Sequence, residues 1–148
     1  MIISDNGIEL IKSFEGFRSK PYLCSAGVPT IGYGSTYYSN TKKVKLTDPA
    51  ITKEKATELL MLQLFKYNKA VKDSIKVELS QNELDALVSM CYNIGIAGFK
   101  NSKLVKNINE NNRTQIKENF LAWRFVNKKE NKGLKTRRLK EYELFIKK

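Results

Sequence analysis

The 148-residue chain contains no histidine. Its absence removes the commonest metal ligand, the usual imidazole base and every Ser–His or Cys–His nucleophile pair. Two cysteines, Cys24 and Cys91, are too few for the common zinc sites or for a disulfide framework. Three prolines and eight glycines exclude a collagen-like or linker-dominated chain. No window approaches the roughly 20 apolar residues of a membrane span, and the start Met1–Gly7 has no basic stretch followed by an apolar one. The expectation is a protein made in the cytoplasm that reaches other compartments through another factor or through lysis. Carboxylates, a thiol, hydroxyls, lysine and arginine are the chemistry left, with neither metal nor cofactor expected.

What is present is an ordinary folded composition, 41% hydrophobic and 10% aromatic, at a length that suits one compact domain. Lys and Arg total 27 against 15 acids, a formal net charge of +12. From Val126 to Lys148 nine Lys or Arg face three Glu, so half of the excess lies in the last stretch. Such a field suits an anionic partner: nucleic acid, phospholipid head groups, lipopolysaccharide or wall polymers. Solubilisation by a lysine-rich surface explains it equally well. Specific nucleic-acid binding is disfavoured, because arginine is scarce relative to lysine and no binding motif occurs.

Ile3, Ile8, Ile11 and Phe14 predict a first helix ending near Phe14. Residues 16–38 change character: glycines and prolines break short β-prone pieces such as Thr30–Tyr33, as in a small antiparallel sheet. Thr52 to about Lys72 has no glycine or proline and predicts one long helix. Ser80-Gln81-Asn82-Glu83 is a capping box opening a helix buried along Leu84, Leu87, Val88 and Cys91. Ala97–Phe99 reads as a turn, and Leu104, Val105 and Ile108 as a short helix. Ile116, Phe120, Trp123 and Phe125 read as another helix, and Gly133 as a break before a last one carrying Leu139, Tyr142, Phe145 and Ile146. The fold class is α+β and mostly α. It is one domain, 1–148, with a small N-terminal β-sheet lobe (about 1–50) and a helical C-terminal lobe (76–148) joined by a long helix (52–72). Two lobes on one helix suit a ligand cleft.

Glu15 stands where the first helix meets the glycine-rich stretch, flanked by Phe14 and Phe17. A carboxyl among apolar neighbours is disfavoured in its charged form, which is what a general acid requires. Alone, a glutamate after a helix is more often a solvated charge. The spacing adds to it: Glu15-Gly16-Phe17-Arg18-x-x-Pro21-Tyr22, then Cys24, then Gly27-x-x-Thr30-Ile31-Gly32-Tyr33-Gly34. This pattern resembles the phage-type lysozymes, the endolysins of glycoside hydrolase family 24. In their signature Glu, Asp and Thr stand at the spacings that Glu15, Cys24 and Thr30 occupy. Two further blocks are similar to the same family: Ser80-x-x-Glu83-x-Asp85 through Tyr92-Asn93-x-Gly95, and Gly133-Leu134-x-x-Arg137-Arg138-x-x-Glu141. Three ordered blocks over nearly the whole chain are far more specific than one Glu-Gly pair.

The resemblance implies a lysozyme-like fold and a muramidase that cleaves the β-1,4 bond between N-acetylmuramic acid and N-acetylglucosamine in peptidoglycan. It also implies Glu15 as general acid and Thr30 as a holder of the attacking water. Gly32 and Gly34 fit backbone passing close to the substrate, and Arg138 fits support of the catalytic carboxylate. A monomer is implied, with peptidoglycan glycan strands as substrate, anionic envelope polymers as further partners, and a holin to open the way from cytoplasm to wall. Cys24 departs from the pattern. Three readings stay open: a thiol that positions water, a thiolate nucleophile, or a structural residue in an enzyme with another base. Lytic transglycosylation of the same bond, a degenerate basic wall-binding module and a membrane-active protein are the alternatives. Cys91, on an apolar helix face, reads as core packing.

Overall fold

The computed structural model describes residues 1–148. Seven helices and two short hairpins follow one another: α1 (Asp5–Glu15), β1 (Arg18–Leu23), β2 (Pro29–Gly32), α2 (Lys53–Ser74), α3 (Gln81–Ile94), α4 (Ile96–Lys100), α5 (Lys103–Asn109), α6 (Ile116–Leu121), β3 (Phe125–Val126), β4 (Lys129–Glu130) and α7 (Lys132–Ile146). The mostly helical α+β class is as the sequence predicts. No helix is long and apolar enough to cross a membrane.

The chain divides into two compact units, Glu9–Phe65 and Met1–Ile8 with Lys66–Lys148. The first eight residues, assigned by sequence to the β lobe, therefore belong with the helices. The reason is polar: the Ile3 amide donates to Asn68 Oδ1 at 2.8 Å and the Ser4 amide to Asp85 Oδ1 at 2.8 Å. Asp85 is fully buried yet satisfied, since the Ser4 hydroxyl and Gln81 Nε2 also donate to its carboxylate. Gly7 makes this possible, because a Cβ there would lie 2.6 Å from Ile3 and 2.8 Å from the Asp85 carboxyl carbon.

In the unit Glu9–Phe65, β1 and β2 pair antiparallel, and Ile31, Val44 and Leu59 form a small apolar core with Tyr38 and Ile51 against it. The Thr52 hydroxyl accepts from the Lys55 amide at 3.1 Å and starts α2. In the other unit the Ser80 capping box forms as read from the sequence, and every residue of α3 from Leu84 to Cys91 is buried. Facing it, α7 buries charge: Arg137, Arg138, Glu141 and Phe145 line its inner side. Arg137 and Arg138 thus lie in an internal cluster. Arg138 Nε lies 2.8 Å from Glu141 Oε1, Arg137 Nε donates to Glu141 Oε2 at 3.2 Å, and the Ser89 hydroxyl of α3 donates to the same oxygen at 2.5 Å. Burial pushes the Glu141 carboxyl up, against Arg138, Arg137 and Ser89, which favour its charged form.

Three local expectations are corrected. Ala97–Phe99 lies within helix α4, and Gly98 there leaves room for Trp123, whose ring would stand 3.1 Å from a Cβ at 98. Trp123 and Phe125 fall outside α6; Phe125 opens a hairpin turned by Asn127 (φ 50°) and Lys128 (φ 67°), both left-handed. Gly133 lies inside α7, next to the Asn131 cap that accepts from the Leu134 amide at 2.9 Å.

Two stability measurements follow from these contacts. Gly7→Ala is expected to cost about 1–3 kcal/mol by overpacking and Glu141→Ala about 3–5 kcal/mol by removing the buried carboxylate that two buried guanidiniums share. Urea unfolding monitored at Trp123 measures both, and Ser89→Ala, removing the bond to Glu141 and a long one from Arg137 at 3.5 Å, is expected to cost less, about 1–2 kcal/mol.

Candidate active site

Glu15 is the last residue of α1 and half-buried. Gly16 follows at φ 70° with its amide on the Lys12 carbonyl at 3.1 Å, the left-handed residue that ends a helix and redirects the chain. Just beyond, the Phe17 ring tilts against Tyr33 at 5.6 Å between centroids, and the Lys53 ammonium stands 5.8 Å from the Phe17 centroid. Both aromatic residues belong to the motif around the acid.

The β1–β2 hairpin brings the other two predicted residues together. Tyr22 pairs with Thr30 and Leu23 with Pro29, with an irregularity between Arg18 and Tyr22. The Cys24 amide donates to the Val28 carbonyl at 3.1 Å and the Gly27 amide to the Cys24 carbonyl at 2.8 Å, with Gly27 at φ 76°. This is a three-residue hairpin loop with its left-handed glycine in place. Cys24 thereby heads a tight turn, where short acidic side chains characteristically accept backbone N–H groups. The Val28 and Ala26 amides act on the thiol in this way and hold its pKa below the ordinary value; the Thr30 hydroxyl and the Cys24 amide add to the effect, and partial burial opposes it. A turn suited to a carboxylate thus favours the thiolate of Cys24.

Thr30 is buried, and its hydroxyl donates to the Val28 carbonyl at 2.8 Å. A hydroxyl carries one proton. It goes to the Val28 carbonyl, so a bond from this hydroxyl to Cys24 would replace that one.

Tyr22 is the residue that sequence reasoning passed over. Burial raises its phenol pKa first; the Arg18 guanidinium, 4.3 Å from its ring centroid, opposes this, while the charges of Glu15 and Cys24 both add to it. One phenol feels both acidic groups and stands opposite Thr30 in the ladder. Pro21-Tyr22 is part of the recognised motif, which was the available signal.

Gly32 and Gly34 have backbone reasons. Gly32 lies at φ 68°, and a Cβ there would stand 3.0 Å from the Ala56 Cβ of α2, so the close approach it permits is to the protein's own helix. Gly34, at φ 93°, sits in the reversal where the Ile31 and Ser35 amides and carbonyls exchange bonds at 2.8 and 2.9 Å. Arg138 is fully buried, and its partners Glu141 and Asn93, the latter at 2.8 Å, both belong to the helical unit. Cys91 is fully buried and its thiol is pushed up to about 12 by burial, against the pull of Lys100. It is core packing, as expected, and both cysteines are free.

A half-buried carboxyl thus stands at the end of α1, and the adjoining hairpin carries a thiol of lowered pKa and a buried hydroxyl. The family model of phage lysozyme matches residues 12–141, and the chain belongs to that family. The endolysin of Salmonella phage P22 is 38% identical over 146 residues, 99% of either chain. That of Bacillus phage B103 is also 38% identical and is matched by 99% of this chain, which spans 54% of that protein's length. The solved endolysin from Escherichia coli O157:H7 phage FAHEc1 superposes with a TM-score of 0.90 at 39% identity, covering 99% of this chain and 94% of the other.

The turn geometry sets an order of effects on Cys24. Its pH profile of alkylation by iodoacetamide is expected to have a midpoint below that of a free thiol, while Cys91 stays unreactive. Thr30→Val is expected to raise the midpoint only in part, because the Val28 and Ala26 amides remain. An unchanged midpoint would show that the hydroxyl contributes nothing to the thiol.

Proposed function

We propose that Glu15, Cys24 and Thr30 form the hydrolytic centre that cuts the β-1,4 bond between N-acetylmuramic acid and N-acetylglucosamine. As a phage lysozyme family member the chain is a glycoside hydrolase, and endolysins act on peptidoglycan. Glu15 donates its proton to the glycosidic oxygen, which leaves with the bonding electron pair as oxocarbenium character develops on the muramic ring. Water held by Cys24 and the Thr30 hydroxyl attacks that carbon, and the Cys24 thiolate takes up the proton released. What supports this reading is the turn that sets Cys24 beside Thr30: the Val28 carbonyl accepts both the Cys24 amide at 3.1 Å and the Thr30 hydroxyl at 2.8 Å, and the turn amides lower the thiol pKa. A thiol whose pKa is lowered in this way gives up its proton more readily than a free one, as the role of base at this position requires.

Gly32 and Gly34 serve this centre by shaping the strand end that carries Thr30. Arg138 acts through the packing of α7. The protein works as a monomer on glycan strands, with a holin-type partner opening the route to the wall. The basic surface holds the enzyme near anionic envelope polymers.

Digestion of purified peptidoglycan, with borohydride reduction and mass spectrometry of the released fragments, tests the reading. Wild type is expected to give reduced muramic acid ends. Glu15→Gln is expected to lose about 10²–10⁴ in rate, Cys24→Asp to remain active, and Cys24→Ala to fall between. Anhydro-muramic ends would indicate transglycosylation instead, and full activity of Glu15→Gln would remove the acid from its role.

A further inference from the structure

Within the unit Met1–Ile8 with Lys66–Lys148, a pocket of about 510 Å³ opens between the end of α2 and the α4–α5 junction. Four lysines line it: Lys76, Lys100, Lys103 and Lys106. All four are exposed, and none has a carboxylate within ion-pair distance. Asp73 is the one acid of the lining, and it is already paired with Lys69 at 2.7 Å. Lys76 Nζ donates to the Asp73 backbone carbonyl at 3.0 Å, and the pocket carries four ammonium charges against this one shared carboxylate.

Its polar neutral groups are committed elsewhere. Asn109 accepts from the Lys76 amide at 2.7 Å and donates to the Ser74 carbonyl at 2.9 Å, which ties α5 to the end of α2 and fixes the wall. The Ser102 hydroxyl donates to the Phe99 carbonyl at 2.7 Å and accepts from the Val105 amide at 3.2 Å. What is left to bind with is a set of ammonium groups on flexible stems. Lysines are point charges without the fork that selects a carboxylate face, and so suit singly charged groups presented in varied orientation.

The lining also says what the pocket does not take. It has no aromatic side chain, so it offers no platform on which a nucleobase stacks. Val105 is its only apolar side chain and is itself buried, so it offers nothing to acyl tails. We propose that this pocket binds a phosphodiester polymer with a polyol backbone, the kind of polyanion bacterial walls carry beside peptidoglycan. Successive phosphates bridge Lys76 and the Lys100–Lys103–Lys106 row, while the uncharged backbone makes few demands on shape. The site would hold the enzyme on the wall independently of bond cleavage and of any reading of Glu15.

Binding is measured on the full chain carrying Glu15→Gln, so that no hydrolysis contributes, with fluorescent poly(glycerol phosphate) as the probe. Lys100→Gln/Lys103→Gln/Lys106→Gln is compared with Lys128→Gln/Lys129→Gln/Lys132→Gln, which removes the same charge from the exposed β3–β4 hairpin and its flank. The pocket triple is expected to weaken binding about tenfold or more and the control triple about twofold, with the difference shrinking at high salt. Duplex DNA and phosphatidylglycerol vesicles are expected to bind less tightly than the polymer and to respond equally to the two triples. Equal loss of polymer binding in both triples would reduce the effect to net charge and overturn the proposal. So would the absence of polymer binding, or tighter binding of DNA or vesicles lost in the pocket triple alone. Unchanged thermal melting of both triples shows that the comparison is between folded proteins.

Discussion

The closing of the β1–β2 hairpin at Cys24 and Val28 is the constraint on which the proposed chemistry rests. A left-handed Gly27 lets the chain reverse in three residues, and the reversal aims the Ala26 and Val28 amides at one side chain. The same pairing sets Tyr22 opposite Thr30 and puts Thr30 and Gly32 on one face of β2, Thr30 buried and Gly32 against Ala56. A slip of one residue in register would turn that whole face over. The anion preference at Cys24 is therefore a property of the backbone more than of the residue that occupies it. This gives a physical reason why a thiol can stand where the family pattern has a carboxylate.

The helical unit is organised around charge of a different kind. Ser89, Arg137, Arg138 and Glu141 lie in the seam between α3 and α7 with little or no access to water. Removing charges from water is expensive, and such a cluster persists only with good mutual geometry. Here the carboxylate meets two guanidiniums and a hydroxyl. Its value lies in fixing how α7 lies on α3, since a shifted helix would leave charges unpaired in the interior. Four exposed lysines, Lys76, Lys100, Lys103 and Lys106, line the open basic pocket beside α5.

Much of this was legible in the sequence, and the failures have physical causes. The long helix, the Ser80 capping box and the buried Cys91 follow from periodicity and local hydrogen-bonding rules. Glu15, Cys24 and Thr30 come from the resemblance to the family motif, and what the structure adds is that the turn at Gly27 brings Cys24 and Thr30 onto one hairpin. Tyr22 was passed over because its importance lies in which charges it feels, a three-dimensional property. Burial of Arg137 and Arg138 is not legible in the local sequence, because it depends on the partners that Ser89 and Glu141 supply in the α3–α7 seam. The β3–β4 hairpin hid because Lys128 takes a left-handed conformation that glycine usually signals. Trp123 follows helical spacing from Phe120 yet lies outside α6, because Gly98 of another helix makes room for it.

The most direct test of water attack assisted by Cys24 and Thr30 is the anomeric configuration of the first product. Proton NMR of a soluble β-1,4-linked muramyl glycan, recorded at times short against mutarotation, reads it. Direct attack by water predicts that the α-anomer appears first, by inversion. Initial appearance of the β-anomer, with a glycosyl adduct on Cys24 in the mass of the trapped protein, would contradict it and make the sulfur the nucleophile.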